Sequence, residues 1–248
     1  MGTSDPVPMT LVSPDSSQTT ARLAGALWLI VIVVSIASLV VNPSINTSGS
    51  PGQTAASVLA AETPYRLAFA LLFFGSLCYL GVTALIYELL RPVNRSIALF
   101  GAFASLAGLT IGAASAVNEL GALALLKEAS NAAPGAANQL QTIAQVFLRD
   151  ETEFKVGMVF FGIHVASTGY LILRSTLIPR IIGGVLVAGG ASYIITSFAS
   201  FVAPALGARL SPLVIPIAIL GEGSLTLWLL FKGVNVNASQ RVDGPRQV

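Results

Sequence analysis

Two ionisable side chains, His164 and Glu222, are the groups of this chain best suited to chemistry. Each lies in a long apolar segment, about ten residues from one end, which is about 15 Å along a helix. An imidazole and a carboxyl at matched depth could share a proton, act as general acid and base, or hydrogen-bond the polar group of an apolar ligand. The alternative is a buried hydrogen bond that only fixes the register of two helices.

Three hydroxyl side chains extend this polar region. Thr168 lies one helical turn from His164, and Thr226 lies one turn from Glu222, so each pair shares a helix face. Tyr193 belongs to a hydroxyl-rich apolar segment between them. We predict that these five residues line a ligand site near the membrane midplane. Hydroxyls in apolar helices also bond backbone carbonyls, so a structural role stays open.

Arg66 is predicted to lie in the first turn of a helix that begins with Thr63 as N-cap and Pro64 as first residue. A cation there opposes the helix dipole, at a cost of about 0.3–1 kcal/mol. Arg66 should therefore have an acidic partner, and we expect an ion pair with Glu119 at the rim of the bundle. The other candidate partners are Glu62, Asp150 and Glu153.

The residue inventory argues against metal and cofactor sites. One histidine excludes bis-histidine haem ligation, and one cysteine, Cys78, excludes cysteine-based metal and redox motifs. We predict no metal and no cofactor. The 13 basic residues are scattered rather than clustered, so we predict no nucleic-acid partner.

Membrane helices must position these groups. Hydrophobic residues make up 54% of the chain and charged residues only 10%, with a mean hydropathy of +0.80, which excludes a soluble domain. Because lipid offers no hydrogen bonds to the backbone, each apolar stretch must be a helix. The sequence predicts an all-α, polytopic bundle of six transmembrane helices. The predicted spans are 23–41, 66–90, 97–126, 154–173, 181–202 and 213–231.

The polar ends of the chain are predicted to be tails. Residues 1–20 are poor in apolar side chains and predict a disordered N-terminal tail, residues 21–233 form the transmembrane domain, and 234–248 form a second disordered tail. The positive-inside rule places both termini in the cytoplasm. The basic residues then inside are Arg22, Arg91, Arg95, Arg174, Arg180, Lys232, Arg241 and Arg246.

The connection 127–152 contains a further helical pattern. Apolar side chains recur at helical spacing opposite a polar face, which predicts an amphipathic helix at the interface or capping the bundle. The apolar positions are Leu140, Ile143, Ala144, Phe147 and Leu148, and the polar ones are Gln141, Gln145 and Arg149.

In the third span, small residues every three or four positions predict a closely packed face that also carries Glu119. They are Gly101, Ser105, Gly108, Gly112 and Ser115.

Several segments resemble a bacterial membrane family catalogued as domain of unknown function 4386. They are ARLAGALWLI at 21–30, the Tyr65-Arg66 pair, LLRPVNRSIALFGAF at 89–103, VFFGIHVASTGYLILRS at 159–175, IPRIIGGVLVAGGASYI at 178–194 and GEGSLTLWLLFKG at 221–233. The resemblance covers about 20–234. It implies a six-helix fold in a bacterial cytoplasmic membrane, and it carries no activity over to this chain.

These features support three hypotheses of function. The leading one is a membrane protein that binds, senses or moves a lipid-like or small amphipathic ligand, with His164 and Glu222 on its polar group and Arg66 at the outer mouth. The second is an intramembrane enzyme that uses His164 and Glu222 as acid and base, with Tyr193 assisting. The third is a structural partner of another membrane protein. The oligomeric state stays open.

Overall fold

Long apolar segments fold into helices throughout this computed structural model, which describes residues 14–42, 47–149 and 152–235 and contains no strand within them. The helices are α1 (Pro14–Val41), α2 (Pro51–Ala60), α3 (Glu62–Leu90), α4 (Arg95–Ala129), α5 (Pro134–Arg149), α6 (Thr152–Leu173), α7 (Arg180–Val202), α8 (Pro204–Ala218) and α9 (Ser224–Phe231). A π-helical turn, Ile219–Gly223, joins α8 to α9.

Six helical segments are long and apolar enough to cross a membrane, which confirms the predicted class. They contain α1, α3, α4, α6, α7 and the continuous unit of α8, the π turn and α9. All six begin earlier than predicted, and two of them begin nine residues earlier. Helix α1 begins at Pro14, so residues 14–20 of the expected tail are helical. Helix α8 begins at Pro204, because proline suits the first turn of a helix.

The spanning helices form a closed ring. Each packs against the next along the chain, and α9 closes the ring by packing against α1. The first and last described helices meet at one end of the bundle, the terminal end, where Gln18 of α1 donates a hydrogen bond to the carbonyl of Lys232 at 2.9 Å. The interior of the ring is apolar and aromatic. Its fully buried members include Trp28, Val82, Ile172, Leu186, Leu225 and Leu229.

Helices α6 and α7 approach through glycines on both sides. A Cβ added to Gly190 would lie 2.4 Å from the carbonyl oxygen of Gly162, and one added to Gly183 would lie 2.8 Å from that of Gly169. Small residues allow such approach, which is how helices in lipid gain dispersion energy. The α6–α7 pair is therefore the most closely packed wall of the ring.

Small residues of α4 also form helix contacts. Gly108 lies against α6, where an added Cβ would be 3.0 Å from Phe161. The hydroxyls of Ser105 and Thr83 hydrogen-bond at 2.7 Å and join α4 to α3. An added Cβ at Gly112 would meet nothing within 4 Å, so the predicted packed face is interrupted there.

Helices α2 and α5 form a cap over the end of the bundle opposite the terminal end. The cap packs on α3 and α4 through a second apolar cluster, whose buried residues are Ala55, Val58, Tyr65, Ala122, Leu123, Leu126 and Ala144. Gln145 holds the cap together: its side-chain amide donates hydrogen bonds to the carbonyls of Thr47 and Gly49 and to the Thr54 hydroxyl, each at 2.9 Å. The amphipathic helix is therefore present, but the expected polar face is buried at Gln145 because the cap needs those donors.

Replacing Gln145 with leucine should loosen the cap by about 1–3 kcal/mol, because it leaves buried acceptors without their donor. We expect faster hydrogen exchange of α2 and α5 amides, with α7 amides unchanged. Gln141→Leu on the same helix is the matched control, since Gln141 is only partly buried. Equal exchange in the two variants would contradict this role for Gln145.

Candidate functional site

A cavity of about 1050 Å³ occupies the cap-side half of the ring. Phe147 and Leu148 of the cap line it from above. The polar lining includes Ser115, Asn118, Glu119, Glu153, Lys155, Tyr193, Thr196, Ser197, Ser200 and Ser211. The apolar lining includes Leu39, Phe154, Met158, Val214, Ala218 and Ile219. The cavity is thus amphipathic, and helices long and apolar enough to span a membrane enclose it.

Tyr193 connects this cavity to Glu222. The Tyr193 hydroxyl donates a hydrogen bond to Glu222 Oε1 at 2.8 Å, and the indole of Trp28 lies beside the same carboxyl. Glu222 lies in the π turn, where the backbone is wider than in an α-helix. The Thr226 hydroxyl donates to the Glu222 carbonyl at 2.7 Å, so Thr226 supports the turn. Sequence reasoning placed Tyr193, Glu222 and Thr226 in one region, and the structure brings them together.

Aromatic rings fill the centre of the bundle beside this group. Tyr79 is buried and packs edge-on against Trp28, Phe161 and His164, with centroid distances of 5.8, 5.4 and 5.9 Å. Such edge-to-face pairs are favourable beyond the area they bury. Of these rings, Trp28 was not predicted from the sequence to belong to the site. The available signal was Trp28 itself, because tryptophan usually lies at the membrane interface rather than deep in a span.

His164 is buried on the terminal side of this aromatic layer. Its Nδ1 lies 3.0 Å from the carbonyl oxygen of Gly101, so Nδ1 carries the proton and donates. Its Nε2 is buried without a hydrogen-bond partner among the described residues. His164 borders a void of about 10 Å³ that Thr83 and Thr168 also line. A void of this size holds about one water molecule.

The structure does not join His164 to Glu222. His164 is held by Gly101, whereas Glu222 is held by Tyr193 and lies beside Trp28, and no hydrogen bond links the two in the described part of the chain. Thr168 lies with His164 at the small void, away from the large cavity. The five predicted residues therefore form two groups rather than one site.

The partner of Arg66 is Glu62, at 2.8 Å, and the same carboxyl oxygen accepts from Lys127 at 2.9 Å. Helix α3 begins at Glu62 after Ala61, which has no side-chain cap, so the predicted Thr63 N-cap is wrong. Glu62 is a better helix start because its carboxylate complements the helix dipole and pairs with both neighbouring cations. Arg66 lies one turn later and is exposed.

The other acidic candidates have different positions. Glu119 lines the large cavity instead of pairing with Arg66, and its backbone carbonyl accepts from the Tyr65 hydroxyl at 3.1 Å. Glu153 also lines the cavity, and its two carboxylate oxygens accept from Asn118 at 2.9 and 3.0 Å. Asp150 lies outside the described residues.

No group of three or more His, Cys, Asp or Glu side chains in the described ranges could hold a metal ion. The cavity therefore offers hydroxyls, amides, carboxylates and one lysine, Lys155, as its chemistry. These groups are suited to hydrogen bonding and charge recognition.

Comparison with known protein families found one match, whose description gives no activity. A family model described as "Domain of unknown function (DUF4386)" matches residues 23–233, from within α1 to the residue after α9 and its C-cap. No curated protein and no solved structure matches the chain. The matched range contains the cavity, the aromatic layer and the small void.

Proposed function

Since this chain belongs to the DUF4386 family, whose description gives no activity, we propose its function from the geometry of the large cavity. We propose that this integral membrane protein binds a lipid-like or small amphipathic molecule there, with the polar group on the hydroxyl side and the apolar part on the other. Binding of this kind is the step that sensing and transport share.

The observation that supports the proposal is the mixed polar and apolar lining of a cavity enclosed by membrane-spanning helices. Helix α7 supplies four hydroxyl residues, Tyr193, Thr196, Ser197 and Ser200, which recur every three or four positions. Helices α6 and α8 supply the apolar part, with Met158, Val214 and Ile219. Ligand sites typically have volumes of about 300–1000 Å³, so this cavity is large enough for one such ligand.

The charges of the lining favour certain head groups. Glu119 and Glu153 contribute two carboxylates, and Lys155 contributes one ammonium group. A cavity with this balance disfavours an anionic head group and suits an amine-bearing or neutral one. At reduced dielectric constant this preference is stronger than it would be in water.

Acid–base catalysis has less support from the geometry. A general acid and base must both reach the reacting atoms, directly or through one water. Glu222 adjoins the cavity through Tyr193, whereas His164 borders a separate void on the other side of Tyr79. We therefore favour binding over catalysis.

We further propose that both termini are cytoplasmic, in a bacterial cytoplasmic membrane. The two short turns at the terminal end, after α3 and after α6, contain Arg91 and Arg174, and the next helices begin at Arg95 and Arg180. Basic residues in short connections favour the cytoplasmic side. The cap and the cavity then belong to the outer half of the membrane.

Native mass spectrometry of the protein, titrated with the lipid extract of its host membrane, tests the binding proposal. We expect a defined adduct on the wild type and a loss of about 3–10-fold in occupancy for Tyr193→Phe, which removes one hydrogen bond at the cavity floor. Tyr170→Phe is the matched control, because Tyr170 is 42% exposed and does not line the cavity. Absence of any adduct on the folded wild type would refute binding.

A further inference from the structure

The large cavity is open on the side where the ring is least tightly closed. Helix α1 packs against α3 and α9, whereas α8 packs against α7, and α1 and α8 form no comparable interface in the described part of the chain. Near the cap, Ser38 of α1 donates to the carbonyl of Ala68 on α3 at 3.0 Å, which holds α1 toward α3. Gly207 of α8 lies against Ser200 of α7, which holds α8 toward α7. The two helices therefore diverge on the cap side.

Two residues lie at the opening between α1 and α8. Leu39 of α1 is 75% exposed and Ile219 in the π turn is 63% exposed, yet both line the cavity. An apolar side chain that is exposed on the outer surface and also lines an internal cavity lies at an opening. Phe147 and Phe154, which are 41% and 59% exposed, lie at another opening beside the cap, whereas Leu39 and Ile219 form the mouth between α1 and α8. This mouth is on the lipid-facing side of the bundle, because the exposed neighbours of these residues, Val40 and Leu220, are also apolar.

The cap restricts the alternative route from water. Phe147 and Leu148 line the cavity from α5, and Gln145 ties α5 to residues 47–54 with three hydrogen bonds. A water-soluble molecule would have to pass these elements. A molecule already dissolved in the bilayer would pass only the apolar mouth.

From this arrangement, which rests on the proposed binding function, we infer that the ligand is a membrane lipid that enters sideways between α1 and α8. Its head group lies on the α7 hydroxyls, and its acyl chain extends through the mouth at Leu39 and Ile219. The Tyr193 hydroxyl donates to Glu222 and the Ser200 hydroxyl donates to the Thr196 carbonyl, so both oxygens can still accept a hydrogen bond from a donor in the cavity. An amine-bearing lipid head group supplies such a donor, and its acyl chain matches the apolar mouth.

Photo-crosslinking in phosphatidylcholine vesicles tests the mouth. The probes are phosphatidylethanolamine and phosphatidylglycerol with a diazirine on the head group, together with glycerophosphoethanolamine carrying the same diazirine but no acyl chain. We expect the lipid probes to label α7 residues 193–200, with the amine-bearing lipid ahead of the anionic one. The probe without an acyl chain should not label α7.

The double variant Leu39→Trp, Ile219→Trp should reduce lipid labelling of α7 by about tenfold or more, because two indoles obstruct the mouth. Val40→Trp, Leu220→Trp is the matched control, since these adjacent residues are 79% and 66% exposed and do not line the cavity. Equal labelling in the two variants would refute lateral access while leaving binding intact, as would α7 labelling by the probe without an acyl chain. No α7 labelling of the wild type by any probe would refute both proposals.

Discussion

Replacing Gly190 with alanine should prevent normal packing of the bundle, with a loss of about 3 kcal/mol or more in stability. The new Cβ would lie 2.4 Å from the carbonyl oxygen of Gly162 and 2.6 Å from the amide nitrogen of Ala166. These are backbone atoms of α6, so relief requires the two helices to separate. Separation would remove the dispersion contacts along the whole α6–α7 wall.

Gly184→Ala provides the control for this prediction on the same helix. A Cβ at Gly184 would meet nothing within 4 Å. Alanine in an open helix position stabilises by about 0.5–1 kcal/mol relative to glycine. Thermal unfolding and gel filtration in mild detergent should show Gly190→Ala aggregated or strongly destabilised and Gly184→Ala at least as stable as the wild type. Equal midpoints would contradict the close approach of α6 and α7.

Replacing Thr196 with tryptophan should abolish ligand binding while leaving the fold intact. Thr196 lines the large cavity and is only partly buried, so an indole there projects into empty space instead of displacing packed side chains. It would occupy the region where we place the head group. Native mass spectrometry should show a loss of the adduct by more than tenfold.

Thr110→Trp is the matched control for cavity filling. Thr110 is exposed on α4, does not line the cavity, and uses its hydroxyl only on the Leu106 carbonyl of its own helix at 2.9 Å. Its adduct should equal that of the wild type. A Thr196→Trp variant that is folded and retains the adduct would exclude the cavity as the binding site.

The spans were predictable because hydropathy and the hydrogen-bonding needs of the backbone act on each segment separately. The depth of His164 and Glu222 followed in the same way from their positions along the helices. Which side chains meet across the bundle depends on helix order and rotation, which single spans do not encode. Glu222 therefore meets Tyr193 and Trp28, and His164 meets Gly101, although the sequence suggested that the two ionisable groups could meet each other.

The positions of the glycines also predicted only part of the helix packing. The regular spacing of small residues in the third span predicted close packing of α4, yet the closest approach between helices is that of α6 and α7. Gly162 and Gly169 are two helical turns apart, as are Gly183 and Gly190, so each pair lies on one face. That matching interval was a usable signal. The pairing of these two faces, however, required the three-dimensional arrangement.

The cap illustrates a limit of amphipathic patterns. Helix α5 was expected to lie at the interface or to cap the bundle. On its polar face Gln145 is 6% exposed and faces the protein, whereas Arg149 is exposed. A pattern reports which side chains share a face and not what covers each of them. Here the chain at 47–54 supplies carbonyl and hydroxyl acceptors, so Gln145 forms a buried contact.

The two sides of the large cavity differ in mechanical stiffness. Helix α7 is fixed to α6 by glycine contacts from Gly183 to Ile194, whereas α8 contains Pro212 and Pro216 and continues into the π turn. Each proline removes a backbone donor, so the hydrogen-bond ladder of α8 is interrupted and its bending resistance falls. A cavity with one stiff wall and one compliant wall adjusts its width to its contents. We therefore expect this protein to accept a set of related amphiphiles that share a head group but differ in girth and chain length.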